Sequence, residues 1–487
     1  MAGRTMLKAG VRADRGLRGH EPLRILVVGA FSGRPAIGTE DARMAAGKPI
    51  PIDIDTFAAV MARLAPSVRL AGTKGVHDAL ELSFMSLDDF HPDSLFGRLP
   101  LFHDLRTLRV RLADPRTFGE TAAILKRGTP GPLPQRPIGM QPSPGENEGA
   151  MLERLLGARP SEAETEDQRG RLSLMALERH LRDVVAPSVL PAVGPEQTLL
   201  LGAIDERIAT VMRAVLHHPD VQRLEAAWRG LYRLISSIET GETVEVFLLD
   251  ADPASLGPID LSGLRGDRRW SLVVVERSFG PLAADLNLLS ALGTIVKARG
   301  AVLLAAADPE LLGCPDLVKH PNPRDWQPLD AAMAQHWQAL RRSSAAASIG
   351  LVLPRVLLRL PYGARADSVE QFAFEELDDV ESHRSYLWGN PAVVAAILLA
   401  RAFEERGWSM APNDVLELGD LPAHTYVGTD GPELKPCAEV FLSDIAAGAI
   451  LAQGIMPFLS HRHRNAVRLA CFQSMADPPL ALSGPWS

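Results

Sequence analysis

The side chains of this chain that could do chemistry fall into a few small sets. His217 and His218 are adjacent, and His461 and His463 alternate with Arg462 and Arg464. Carboxylate pairs stand at Glu375–Glu376, Asp378–Asp379 and Glu404–Glu405, and a glycine-bearing loop, GAFSGRPAIG, occupies 29–38. A zinc site needs ligands converging on one point, whereas adjacent residues of a helix project about 100° apart. With no Cys or His nearby to complete a set, His217–His218 is expected at a helix terminus or an interface, and the 461–464 stretch as a solvated basic turn. The 29–38 loop lacks both GxGxxG and GxxxxGK[ST], so its glycines are expected simply to close a turn. There is no GxSxG elbow, no HExxH and no Cys in a nucleophile signature. The carboxylate pairs sit among charged neighbours and are expected to be solvated or to face another subunit, since acid–base work needs convergence in a pocket. An enzymatic alternative, a soluble α/β enzyme, requires Glu276, Asp308 and His320 to gather at the carboxyl ends of strands at 271–275 and 301–306. No catalytic, cofactor-binding or metal-binding residue is assigned, and no cofactor is expected.

Elements that would position these groups are legible from periodicity. In HHPDVQRLEAAWRGLY (217–232) and just beyond, Val221, Leu224, Trp228, Leu231 and Ile235 recur at helical spacing and form one apolar stripe, with Arg223, Glu225 and Arg229 off it. RILVVGAFSG at 24–33 reads as a buried strand ending in a turn. Leu80, Leu82 and Phe84 alternate with Glu81 and Ser83 as a second strand, and Asp88 or Asp89 follows as a helix cap. Leu101, Leu105, Leu108 and Leu112 form a helical stripe, and Ile204, Ile208, Val211 and Val215 another that stops before Pro219. Val244, Val246 and Leu248 alternate with Glu245 and Phe247 as a strand. Ser271–Val275, Leu282–Arg299 and Ala301–Ala306 read as a parallel βαβ unit. Trp388 and Trp408 flank a strongly apolar helix, where they are expected to fix packing.

Composition bounds the rest. At 487 residues and 46% hydrophobic content the chain can fill real cores, with roughly 150 residues per domain as the usual expectation. A net charge of −8 with interspersed signs does not suggest a nucleic-acid surface. The first fifteen residues carry three Arg and one Lys without the apolar core of a secretory signal, and no run of eighteen apolar residues follows. Cys314, Cys437 and Cys471 are odd in number and far apart, which fits a reducing cytoplasm. Residues 127–150 are rich in Pro and Gly and read as an extended linker. Beyond it, AMLERLLGARP and LSLMALERHLRDVVAPSVLP read as short amphipathic helices, the first with Met151, Leu152, Leu155 and Leu156 on one apolar face.

Several motifs resemble the contractile sheath of type VI secretion systems. LVVGAFSG, DIDTFAAVMARLAP and ALELSFMSLDDFHPDSLFGRLPLFHDLRTLRVRL, in that order across 22–126, resemble the small sheath subunit, with Ala30 standing where that family more often has an acidic residue. The 217–232 stretch, IGLVLPRVLLRLPYG (349–363), FAFEEL (372–377), HRSYLWGNPAVVAAILLARAFEERGW (383–408) and DLPAHTY (420–426) resemble the large subunit over about 150–478. The implied organisation is an arm at 1–21, a small-subunit-like domain at 22–126, a linker at 127–150, amino-terminal helices at 151–197 and a large-subunit-like domain at 198–487. Against the family pattern, that last domain is expected to be shortened at its carboxy terminus. The fold class follows as two α/β sheath-type domains joined by a Pro/Gly-rich linker.

What the resemblance implies is a structural protein and not an enzyme. It would assemble with copies of itself into a helical tube around an inner tube, mounted on a baseplate, and contract to drive effector delivery. A non-contracting cap, initiator or baseplate-associated component is the alternative within the same class. The expected interface residues are Leu101, Leu105, Leu108, Leu112, Arg223 and Arg229. A disassembly ATPase is an expected partner through the Met151–Leu156 helix, and neither nucleic acid nor direct membrane insertion is expected.

Overall fold

A computed structural model describes residues 21–33, 48–70, 80–127, 193–251, 269–377, 383–428 and 431–486. The arm, the linker and the helix carrying Met151, Leu152, Leu155 and Leu156 therefore lie outside the described residues, as does the Asp378–Asp379 pair. The class is α/β. By their contacts the residues form two units: the first comprises the chain through Ser94, Ala214–Ser368 and Glu375 onward, and the second Leu95–Arg213 with Val369–Phe374.

The first unit is built on a nine-stranded sheet. Its strands, in chain order, are β1 (Leu23–Gly29), β2 (Ile50–Pro51), β5 (Val244–Asp250), β6 (Leu272–Phe279), β7 (Val302–Ala307), β8 (Ile349–Leu353), β11 (Glu417–Leu418), β14 (Ile455–Ser460) and β15 (Val467–Leu469). Three two-stranded pairs complete the count: β3 (Ser67–Leu70) with β4 (Leu80–Ser83), β9 (Val356–Leu357) with β10 (Trp388–Gly389), and β12 (Thr425–Gly428) with β13 (Gly431–Leu434). Across the large sheet the order is β11-β15-β14-β8-β7-β6-β1-β5-β2. The six inner strands from β14 to β5 pair in parallel, and antiparallel strands close both edges.

β1 lies inside this sheet with a partner on each side. Its register runs from Leu23 opposite Val244 to Gly29 opposite Asp250 on one flank, and from Ile25 opposite Leu272 to Val28 opposite Val275 on the other. A strand covered on both faces has no need of alternation, which explains the unbroken apolar run LRILVVG. The same holds for β5, where Phe247 is buried along with Val246 and Leu248. Just past β1 the chain turns at Gly33, where φ is +68° and an added Cβ would lie 2.3 Å from the Ser67 carbonyl oxygen.

Alternate side chains of the strands, including Leu26, Leu249, Val273, Leu303 and Leu351, form one core with α7 (Ala283–Ala298), α8 (Ala331–Arg341) and α10 (Asp444–Ala452). The other face packs against α9 (Pro391–Arg406), twelve of whose residues are buried and which meets β1, β6, β7 and β8. Its cap, Asn390, accepts from the Ala392 amide and donates Nδ2 to the Val275 carbonyl at 2.9 Å, so one side chain both starts the helix and fixes it to β6. Beside α9 lies α6 (Pro219–Ser236), flanked by α1 (Phe57–Leu64) through ring contacts. α6 begins where Pro219 supplies N1 and His218 caps the Asp220 amide, the helix-terminal role expected of that His pair.

The second unit holds most of α2 (Pro92–Arg98), all of α3 (His103–Ala113) and α4 (Pro115–Arg127), and α5 (Val193–Leu216) except its last residues. Leu105 and Leu112 of the expected stripe are buried and Leu108 is half-buried. Leu101 precedes the helix, in a 3-10 turn at Pro100–Phe102, because Pro100 starts a separate turn. Arg109 of α3 forks onto Asp205 of α5 at 2.6 and 3.3 Å, and Gln197 donates to the free carbonyl ends of α3 at Leu112 and Ala113. The anticipated Asp cap before α2 is instead a capping box: Ser86 is the cap of the 87–90 turn and Asp89 reaches back to it.

Because β1 supplies an inner strand, residues 128–487 expressed alone should fail to reach the folded state, leaving the parallel edges of β5 and β6 unpaired. Co-expression with residues 1–127 should restore a soluble, co-purifying complex. A soluble 128–487 product with cooperative unfolding would contradict this.

Candidate functional site

The stripe of α6 is where the early and late parts of the chain meet. Val221, Leu224, Trp228, Leu231 and Ile235 are all buried, and Trp228 is fully enclosed. Its indole N–H donates to the Phe31 carbonyl at 2.9 Å. Phe31 and Phe57 meet the indole edge-on, with centroids 5.3 and 5.6 Å away. The 3-10 turn at Leu87–Phe90, whose Phe90 stacks on Phe84 at 4.0 Å, also packs on α6.

Off the stripe, α6 carries charged side chains that pair within the chain. Glu225 is fully buried, and its Oε1 accepts from Arg229 Nε and from Arg359 Nε, each at 2.7 Å. Arg359 forks a second time onto Glu376, at 2.7 and 3.0 Å, and its guanidinium lies 4.0 Å over the Tyr362 ring. Glu376 also accepts from the Tyr362 amide at 2.8 Å, and Arg229 Nη2 donates to the Tyr362 hydroxyl at 3.2 Å. Burial pushes the Glu376 carboxyl up, but the Arg359 charge and the bonds from Arg359 and the Tyr362 amide, with His217 Nε2 3.5 Å away, outweigh it and hold it at about 2. Burial also raises the Tyr362 hydroxyl above its ordinary range.

This arrangement corrects two expectations. Arg229 is not a surface charge free for partners but is spent on Glu225 and Tyr362 within the chain. Glu376 is not solvated: its side chain is 1% exposed, while its neighbour Glu375 accepts from the Ala364 amide. The i, i+4 spacing of Glu225 and Arg229 was the available signal, since that separation places the two on one helix face. Arg359 carried no local signal at all. Arg223 is exposed and pairs at 2.9 Å with Asp220, one turn away. Glu404 of the third carboxylate pair accepts the Glu239 amide, Trp408 donates to the Glu21 carbonyl, and Trp388 donates to the His383 carbonyl.

The enzymatic alternative rests on Glu276, Asp308 and His320. Asp308 caps the 3-10 turn at Pro309–Leu312, and His320 is exposed. Glu276 is partly buried, with its carboxyl turned away from solvent. It sits within β6 against Gly29, where an added Cβ would come within 2.9 Å of it, and its Oε1 is shielded from solvent without a hydrogen-bond partner. Among the described residues no cluster of His, Cys, Asp and Glu could hold a metal ion.

Residues 199–258 and 262–476, more than half of the chain, match the VipB family, the EvpB-type tail sheath N-terminal domain. The chain belongs to the VipB tail sheath family. Residues 17–122 match a second family, the VipA protein of type VI secretion systems, so both sheath regions are present in one polypeptide. The type VI secretion system sheath protein TssC1 of Pseudomonas aeruginosa is 31% identical over 304 residues, covering 57% of this chain and 61% of that protein. The chain thus spans about three-fifths of the length of the curated relative it matches. In family terms, Phe31 and Phe57 belong to the VipA-like region and Trp228 to the VipB-like one, so the indole is the residue on which the two regions close. No helix among the described residues is long and apolar enough to cross a membrane.

Trp228→Ala should lower stability by about 3–5 kcal/mol, the usual cost of emptying an aromatic core site. Trp228→Phe should cost less, about 1–3 kcal/mol, for the unpaired Phe31 carbonyl. Denaturant midpoints at constant m-value read both, and equal midpoints for Trp228→Ala and wild type would remove the indole from the core.

A second expectation follows from Glu276. Burial pushes its carboxyl up to about 8 from an ordinary 4.5, against the opposing hydrogen bond from Asn390. The folded chain therefore keeps a proton that the unfolded chain has lost, and stability present below pH 4.5 declines as pH rises through about 8, by at most about 1.4 kcal/mol per pH unit. Glu276→Gln should flatten that part of the pH–stability curve; superimposable curves would refute the burial argument.

Proposed function

We propose that this chain is a structural subunit of a type VI secretion contractile sheath, carrying the small-subunit-like and large-subunit-like regions together. The observation that supports this most is the placement of β1, from the VipA-like region, between β5 and β6 of the VipB-like region. A tether between such regions raises their mutual concentration to the order of millimolar and sets a one-to-one ratio. The work is mechanical and not catalytic: identical contacts repeated along a helix hold an extended tube around an inner tube, anchored on a baseplate, and shift together on contraction. The chain acts in the cytoplasm. A disassembly ATPase that engages Met151, Leu152, Leu155 and Leu156 is the recycling partner. Leu101, half-buried, and Arg223, exposed, belong to the contacts between copies.

Negative-stain images of the purified protein, alone and with the products of neighbouring genes, test the reading. Tubes are expected, and Arg223→Glu should shorten or abolish them while leaving the chain folded, because a reversed surface charge acts on partners. A monodisperse monomer under every such condition would overturn it.

A further inference from the structure

The two sides of the nine-stranded sheet carry opposite charge around exposed apolar side chains. On one side the turn 461–466 joins β14 to β15, with Arg462, His463 and Arg464 exposed on it and Arg468 exposed on β15. Glu417 beside the turn is already shared by His461 Nε2 and Arg464 Nη2, at 3.2 and 3.0 Å. Arg462 instead lays its guanidinium 4.8 Å over the ring of Phe441, just before α10. Ile445 of that helix is 76% exposed, more than any other large apolar side chain among the described residues. With Gly448 and Ala452 it recurs at helical spacing on the open side, while Ala446, Ala447 and Ile450 face the core; Asp444 is the carboxylate in the first turn. On the other side of the sheet the chain leaves β2 through Asp53, Ile54 and Asp55. Ile54 is 46% exposed between the two carboxylates. Asp53 accepts from the amide and the hydroxyl of Thr56, each at 2.8 Å, Asp55 is exposed, and Lys48 before β2 is the cation on that side.

We propose that these two surfaces bind each other between copies: the 53–55 loop of one copy seats Ile54 on the Ile445 face of α10 in a second copy, with its carboxylates toward Arg462 and His463. An apolar centre with charges of opposite sign around it is the usual anatomy of a specific contact. Within one chain the two cannot meet. In the strand order β8, β7, β6, β1 and β5 stand between β14 and β2, roughly 30 Å at the usual strand spacing. They are also offset along the strands. The 461–466 turn follows the carboxyl end of β14, which is parallel to β8, whereas the Ile52 amide bonds the Val246 carbonyl near the start of β5, so Ile54 lies toward the amino ends. A contact between unlike surfaces is heterologous: each copy gives one and receives on the other, so the contact repeats from copy to copy and does not close as a symmetric pair. The contact rests on the reading above that copies of this chain assemble, and gives that assembly a surface.

Disulfide trapping between two full-length chains tests it. Both carry Cys471→Ser, since the other two cysteines are buried; one also carries Ile54→Cys and the other Ile445→Cys. Both added cysteines replace exposed side chains, and unfolding midpoints check that each chain is folded. Mixed under mild oxidation, the two should give a disulfide joining 54 to 445, read by mass spectrometry, while neither chain dimerises by itself. Arg462→Glu in the Ile445→Cys chain should cut the yield about tenfold, and Asp55→Arg in the Ile54→Cys chain should restore it. Salt at 1 M, which screens charges beyond about 3 Å, should also lower the yield. Lys319→Glu, at a side chain 74% exposed elsewhere, should leave it unchanged. Absence of the 54–445 disulfide, equal dimerisation of either chain alone, or a yield indifferent to Arg462→Glu would overturn the proposal. Tubes without the disulfide would sink this contact and leave the sheath reading standing; the disulfide without tubes would do the reverse.

Discussion

Everything in the first unit depends on β1 finding β5 and β6 across more than two hundred residues of chain. A parallel strand contributes hydrogen bonds on both edges and apolar surface on both faces, so its seven residues close the sheet and two helical layers at once. Until it docks, β5 and β6 expose unpaired backbone that folding must protect. Contacts this distant in sequence are slow to form, because loop closure is opposed by entropy before any pairing offsets it. Carrying the strand on the same polypeptide shortens that search relative to two separate chains.

The seam at α6 shows how the docking is made specific. Apolar burial alone would tolerate several ways of laying the early segment on the helix, since cores accept many packings of similar volume. The indole N–H of Trp228 accepts no such latitude: it is enclosed, and the Phe31 carbonyl just beyond the end of β1 is its partner. An error in register would strand that donor at a cost of about 1–3 kcal/mol. The stripe supplies driving force, and one hydrogen bond supplies registration.

How far this was legible in the sequence follows from the range of each interaction. The strands at β1, β6 and β7 and the helices α6, α7 and α9 announce themselves through apolar runs and helical spacing, which are local properties. Their lateral order is not local, so the sequence pattern held no sign that β1 lies between β5 and β6. Glu225 stands off the apolar stripe, and its burial depends on Arg359, 134 residues away. Glu376 was misread for the same reason. The Asp88–Asp89 cap went to Ser86 because both ends of a capping box must be considered together. Family resemblance added what periodicity could not: it linked the early and late segments to one assembly before any contact between them was known.

The charge-matched ladder beneath Tyr362 is best understood by asking what it does not do. Removing two arginines and two glutamates from water is costly, and their mutual attraction in a buried site roughly offsets that cost, so the ladder is a weak source of net stability. Apolar residues of similar volume would fill the space at comparable free energy. They would not, however, distinguish one path of the 359–376 segment from another. Arg359 does: its planar fork satisfies Glu225 on one side and Glu376 on the other, while Glu376 also takes the Tyr362 amide. A shift of that segment by one residue would leave a buried charge without its partner, a penalty of about 3–5 kcal/mol that no apolar substitute imposes. The ladder therefore selects a conformation more than it stabilises one.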